Sequence, residues 1–125
     1  MKREFRLRKT KDIQRLRSDG KAYSNRYIVL LVKEQPSEGL ASGESHSRVG
    51  VITGKRIGNA VTRNKVKRRI QYAIEQHFAE LPEDWDFLFL ARKPIVKAKY
   101  QEIEIAVLTL LRRAGILDGK NVQPR

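Results

Sequence analysis

Residues 50–69 read Gly50-Val-Ile-Thr-Gly-Lys-Arg-Ile-Gly-Asn-Ala-Val-Thr-Arg-Asn-Lys-Val-Lys-Arg-Arg69. The stretch begins inside a β-prone run, Arg48 to Thr53, in which apolar residues alternate well enough for a strand. It passes through a loop with glycines at positions 54 and 58. Beyond the loop, apolar residues recur at Val66, Ile70, Ala73, Ile74, Phe78 and Leu81, intervals that fit a 3.6-residue period. Pro82 ends the pattern, so a helix is predicted over Asn59–Leu81. A strand feeding a long amphipathic helix is the signature of a sheet with helices packed on it.

The flanking sequence extends the same plan. Upstream, Thr10 to Gly20 reads as a short helix, with Thr10 as N-cap, Asp12 at the positive end of the helix dipole and Gly20 as the stop. Tyr27 to Val32 is a continuous apolar run, the mark of a buried strand. Residues 34–47 carry Pro36, Gly39, Gly43 and several serines, and are expected to form a flexible loop. Downstream, Asp86 to Ala91 is a further strand. Tyr100 to Ala114 is a last helix, with Ile103, Val107, Leu110, Leu111 and Ala114 on one stripe. The order read from the residues is α, β, β, α, β, α, with room for one more strand, in an α/β (α+β) sandwich. One domain over residues 1–125 is expected, with a loose tail over 118–125.

Charge narrows the function. The 125 residues contain 27 Lys and Arg against 14 Asp and Glu, a formal net charge of +13. Such a surplus repels itself in the folded state and favours a polyanionic partner, either nucleic acid or an anionic membrane surface. No cysteine is present, which removes disulfides, thiolate metal sites and cysteine nucleophiles. No apolar run approaches the roughly 20 residues needed to span a bilayer, and the start lacks an apolar signal region. A soluble, cytoplasmic protein is expected.

The cations are not spread evenly. Between Glu44 and Glu75 there is no carboxylate, while the interval holds Arg48, Lys55, Arg56, Arg63, Lys65, Lys67, Arg68 and Arg69. A solvated helix ordinarily mixes signs and gains i,i+4 pairs. On a helical wheel Val66, Ile70, Ala73, Ile74 and Leu81 share one side, and Asn64, Lys65 and Arg68 the other. Lys67 and Arg69 flank the apolar stripe and reach outward along their stems. The helix start follows a loop rich in backbone donors, a setting that favours phosphate oxygens. Arginine adds bidentate geometry. A solubilising surface helix is the plain alternative.

The spaced pattern Lys55-Arg56-x-Gly58-Asn59-Ala60-Val61 followed by Arg63-Asn64-x-x-Lys67-Arg68 resembles the signature of the ribonuclease P protein component. The resemblance runs from Leu7 through Leu117, takes in Arg92-Lys93-Pro94, and is poorest over residues 34–47. It implies an α-β-β-β-α-β-α sandwich with a left-handed crossover. It also implies a partner RNA, the ribonuclease P RNA, that performs the cleavage with Mg²⁺. The protein would bind that RNA through Lys55, Arg56, Arg63, Asn64, Lys65, Lys67, Arg68 and Arg69. It would hold the 5′ leader of precursor tRNA in a cleft between the first helix and the sheet. At the positions where the family often places aromatics, this chain has Ile13, Arg17 and Leu31. Tyr27 is the remaining candidate for the cleft, or simply a strand residue with a wet hydroxyl.

No active site of the protein's own is legible. His46 and His77 lie in different contexts, and no metal-spaced His/Asp/Glu cluster or phosphate-binding GxxxxGK[ST] loop is present. Metal ligands are not identified by the sequence, and no obligate protein partner is implied. Three functions compete: a subunit of a ribonucleoprotein enzyme, a generic RNA- or DNA-binding module such as a ribosome-associated protein, and a protein-only nuclease. A generic binder needs the charge but not the spacing, and a nuclease needs clustered acids where this segment excludes them.

Overall fold

Strand β2 (Ile28–Glu34) shows why its sequence is apolar at each position from Ile28 to Val32. Ile28, Leu30 and Val32 point into one core, while Val29 and Leu31 face a second, smaller cluster on the other side of the sheet. Strand β4 (Trp85–Ala91) repeats the arrangement, with Phe87 and Phe89 on one face and Leu88 and Leu90 on the other. Both strands are therefore sandwiched, which a period-2 alternation would not have indicated. In this computed structural model residues 5–35 and 47–117 are described.

Among the described residues the α-helices and strands follow in the order α-β-β-β-α-β-α: α1 (Thr10–Asp19), β1 (Lys21–Ser24), β2, β3 (Arg48–Ile52), α2 (Ala60–Glu75), β4 and α3 (Tyr100–Arg113). The sheet order is β1-β2-β4-β3. The β1–β2 and β2–β4 pairs are antiparallel, and β3 runs parallel to β4. The β3–α2–β4 unit is thus the crossover to which the family resemblance assigns a left hand. Helices α2 and α3 cover one face through Val66, Ile70, Ala73 and Ile74 and through Ile103, Val107, Leu110 and Leu111. Helix α1 covers part of the other, where Leu16 meets Leu7, Leu31 and Leu88. Arg6 bridges to Val49, and the Leu7 amide donates to the Val49 carbonyl at 2.8 Å, so these two residues lie against the outer side of β3. No helix among the described residues is long and apolar enough to cross a membrane.

Several boundaries differ from the sequence reading. Strand β1 is the additional strand. Of its residues only Tyr23 is half-buried, so it carries little apolar signal and is held by its ladder to β2, from Lys21 opposite Val32 to Ser24 opposite Val29. Asn25 makes the turn, its Oδ1 accepting from the Tyr27 and Ile28 amides, both at 3.0 Å. Helix α2 ends at Glu75 and not at Leu81. Phe78 to Glu80 form a separate 3₁₀ turn, and Phe78 and Leu81 still reach the core, which mimics a continued helical stripe. Thr10 is the first helical residue and does not cap; Lys9 holds the cap position without a side-chain bond. Gly20 does end α1, by close approach: a Cβ there would lie 2.4 Å from the Leu16 carbonyl oxygen. Glu34 closes β2 and Ser47 is buried; the rest of the expected loop, 36–46, and the tail 118–125 lie outside the described residues.

Tyr100 opens α3 with its ring centroid 5.6 Å from that of Tyr72. Its hydroxyl is buried and meets no hydrogen-bond partner among the described residues. Burial, then Glu104 and the neighbouring Tyr72, push the phenol's pKa up from its ordinary value. Above about pH 10 the unfolded phenol therefore ionises first, and its contribution to stability falls as pH rises. Tyr100→Phe removes an unsatisfied group, so we expect stability at neutral pH to be unchanged or higher by up to about 1 kcal/mol. Urea unfolding of the two proteins measures this, and a loss above 1 kcal/mol would show a hidden partner for the hydroxyl.

Candidate nucleic-acid interface

The loop between β3 and α2 is shaped by one anchor and one glycine. Lys55–Ile57 form a 3₁₀ turn in which Ile57 is buried, and the two cations before it, Lys55 and Arg56, are exposed. Gly58 has φ +148°, and an added Cβ would also press on Thr62 at 3.3 Å, so this position requires glycine. Asn59 then caps α2, its side chain accepting from the Thr62 amide at 2.9 Å. The sequence Lys-Arg-x-Gly-Asn is in physical terms a turn, a tight corner and a cap, with two cations held at the helix entrance.

Along α2 the buried stripe turns the cations outward. Asn64, Lys65, Lys67 and Arg68 are exposed, and Arg63 and Arg69 are half-buried. Among the described residues, none of Lys55, Arg56, Arg63, Lys65, Lys67, Arg68 and Arg69 has an ion-pair partner. Arg48, which shares the acid-free stretch of sequence, behaves differently. Its guanidinium forks onto Asp86 through Nε and Nη2, both at 2.8 Å, and reaches Asp12 at 3.2 Å. Burial opposes its charge, but the bonds to Asp86 and the field of Asp86 and Asp12 outweigh this and raise its pKa. An absence of acids nearby in sequence is therefore no guide to Arg48, whose carboxylates come from α1 and β4.

Two further cations join the loop. An open cavity of about 550 Å³ is lined by Gly54, Lys55, Arg56, Ile57, Ala91, Arg92 and Lys93. It lies where the parallel strands β3 and β4 end, the usual place for a ligand in such a pair. Arg92 is held there by a 2.8 Å bond from Nη1 to the Asn25 carbonyl. Among the described residues no acid lines this cavity.

On the α1 side, the sheet shows a half-buried row beside the helix: Val29 opposite Leu90, and Leu90 opposite Ile52. Ile13 is half-buried in the same cluster, and Arg17 is exposed on α1. The expected grouping of Ile13, Tyr27 and Leu31 is only partly present. Leu31 joins Ile13's cluster but is 8% exposed, under the helix and not beside it. Tyr27 packs against the larger core, with the Arg26 guanidinium 5.6 Å from its ring centre. Val29, Ile52 and Leu90 were missed. Their signal was the strand parity that puts Val29 on Leu31's face, one step closer to the open end.

His77 pairs through Nδ1 with Glu80 at 3.1 Å, and His46 lies outside the described residues. Among the described residues no three His, Asp or Glu side chains gather closely enough to hold a metal.

A family model described as Ribonuclease P matches residues 1–115. The chain belongs to the ribonuclease P protein family. The ribonuclease P protein component of Exiguobacterium sibiricum is 36% identical over 118 residues, covering 93% of this chain and 95% of the relative. That of Streptococcus pyogenes is 38% identical over 118 residues, covering 94% and 92%. Among solved structures, the Staphylococcus aureus RNase P protein superposes with a TM-score of 0.79 at 27% identity, covering 91% of this chain and 98% of that one. The Thermotoga maritima RNase P protein gives 0.73 at 26% identity, covering 86% and 96%. The family is a protein component of a transfer-RNA-processing ribonucleoprotein, and partnership with the ribonuclease P RNA follows from that membership.

Proposed function

We propose that the exposed cations of α2 and its entrance loop bind the ribonuclease P RNA, and that the groove between α1 and the row Val29–Leu90–Ile52 takes the 5′ leader of precursor tRNA. The observation that carries this reading is the set of seven Lys and Arg side chains on one loop and helix, without a carboxylate partner among the described residues. A phosphate backbone supplies the missing counter-charge. The cavity between Lys55–Arg56 and Arg92–Lys93 extends the same surface.

The chemistry is proposed to belong to the RNA. Asp12 and Asp86, the carboxylates gathered around Arg48, are taken up by Arg15 and Arg48 and do not fit a divalent cation. On this proposal the Mg²⁺ of the reaction belongs with the RNA subunit, and this chain contributes charge and positioning. A cytoplasmic setting goes with transfer-RNA processing. The test is reconstitution. Precursor tRNA is incubated with protein alone, with RNA alone, and with both, at modest Mg²⁺. Protein alone is expected to leave the substrate intact and to raise the rate of the RNA. Cleavage by RNA-free protein would overturn the assignment.

Ile13 offers the groove apolar surface without an aromatic face, and Arg17 offers a guanidinium plane beside it. Ile13→Phe is expected to tighten leader-bearing substrate by up to about 1–3 kcal/mol through stacking, and to leave mature tRNA unchanged. Affinities for both RNAs beside thermal stability decide the matter. A destabilised variant without a leader-dependent gain would make Ile13 a packing residue.

A further inference from the structure

Four large apolar side chains are exposed among the described residues, and two of them, Val61 (76% exposed) and Tyr72 (55% exposed), are on α2. At about 100° per residue, Val61, Lys65, Arg68 and Tyr72 fall within an arc of about 60°, a single outward ridge about 16 Å long. Apolar ends therefore bracket the cationic middle of the ridge. A scattered surface tyrosine needs no explanation. Tyr72 is set apart by this alignment and by the support behind its ring, since Tyr100, wedged with its hydroxyl buried, meets it at 5.6 Å and 59°. The ring is held on one side and open on the other, so little conformational freedom remains to be lost on binding.

We propose that Tyr72 is a stacking platform for an unpaired base of the ribonuclease P RNA, at the end of the ridge whose phosphate contact is Arg68. The two residues are one helical turn apart, about 6 Å along the axis, within the span of a nucleotide. Stacking on an aromatic ring suits any base and needs no hydrogen-bond readout. The inference rests on the RNA-binding reading of α2, and charge favours RNA as the occupant: the ridge carries Lys65 and Arg68, which have no ion-pair partner among the described residues and which a second copy of this basic chain would only oppose.

The test measures binding of the intact protein to ribonuclease P RNA across a salt series, for wild type, Tyr72→Ala, Tyr72→Phe and Tyr72→Trp. Tyr72→Ala is expected to weaken binding about 5- to 100-fold with the salt slope unchanged, because stacking releases no counterions. Phe should keep the affinity within about twofold. Trp fluorescence at position 72 should be quenched by the RNA, a signal that survives if the Ala variant folds poorly. Unchanged affinity for a folded Ala variant, an equal loss in Phe, or an unquenched Trp overturns the proposal. So does loss of self-association in Tyr72→Ala with RNA affinity intact. If wild type itself does not bind the RNA, or loses nothing when Arg63, Lys67 and Arg68 are removed, the RNA-binding reading has failed; if only the Tyr72 variants are silent, the platform alone has failed.

Discussion

Asp86→Ala is expected to destabilise the protein by about 3 kcal/mol, the low end of what losing one member of a buried ion pair costs. The Asp86 side chain is fully buried and accepts from Arg48 Nε and Nη2 and from Arg15 Nη2, all at 2.8 Å, and from Gln35 Nε2 at 3.1 Å. Its removal strips two guanidiniums of their shared counter-charge. The low end applies because Arg15 and Arg48 side chains are 20% and 25% exposed and can turn partly to water, and because Arg48 keeps Asp12. Asp86→Asn retains an acceptor and should cost less. Urea unfolding measures all three proteins. A loss under 1 kcal/mol in Asp86→Ala would mean that desolvation already cancels the attraction. The network fastens α1 to β3 and β4, so Asp86→Ala should also loosen the groove wall that carries Ile13 and Arg17.

Replacing Arg63, Lys67 and Arg68 together by Ala is expected to lower affinity for ribonuclease P RNA about 100-fold, taking about 1 kcal/mol for each lost charge-assisted contact. The fold should survive, because Lys67 and Arg68 are exposed, Arg63 is half-buried, and alanine favours a helix. The logarithmic salt slope should become shallower by about 2–3, from roughly 0.9 per phosphate on a duplex and 0.7 on a single strand. Filter binding over a salt series, with circular dichroism as the check on folding, gives both quantities. A folded variant with wild-type affinity and slope would remove α2 from the interface.

The parts of the fold legible in the sequence were those in which burial sets the residue type. The apolar runs of β2 and β4 and the helical stripe of α3 could be read directly. Strand β1 could not, because Lys21 to Ser24 is an edge held by backbone bonds. The end of α2 was misplaced because Phe78 and Leu81 bury themselves from a 3₁₀ turn at nearly helical spacing. At the site, the cations of α2 were legible since local periodicity decides which way they face. The fate of Arg48 was not, because its partners Asp12 and Asp86 lie 36 and 38 positions away. The groove floor of Val29, Ile52 and Leu90 depends on strand register, which a single sequence does not state.

The bridge from Arg6 and Leu7 to Val49 has a meaning for the free protein. A four-stranded sheet has two rims, each a row of amide and carbonyl groups able to recruit a strand from another molecule. Here one rim is the short β1, begun by a lysine, and the other, the five-residue β3, is bridged at Val49 by Arg6 and Leu7. Neither offers a long bare template. Together with like-charge repulsion from the +13 surplus, this guards the chain against amyloid-like stacking in the interval between its synthesis and its capture by RNA.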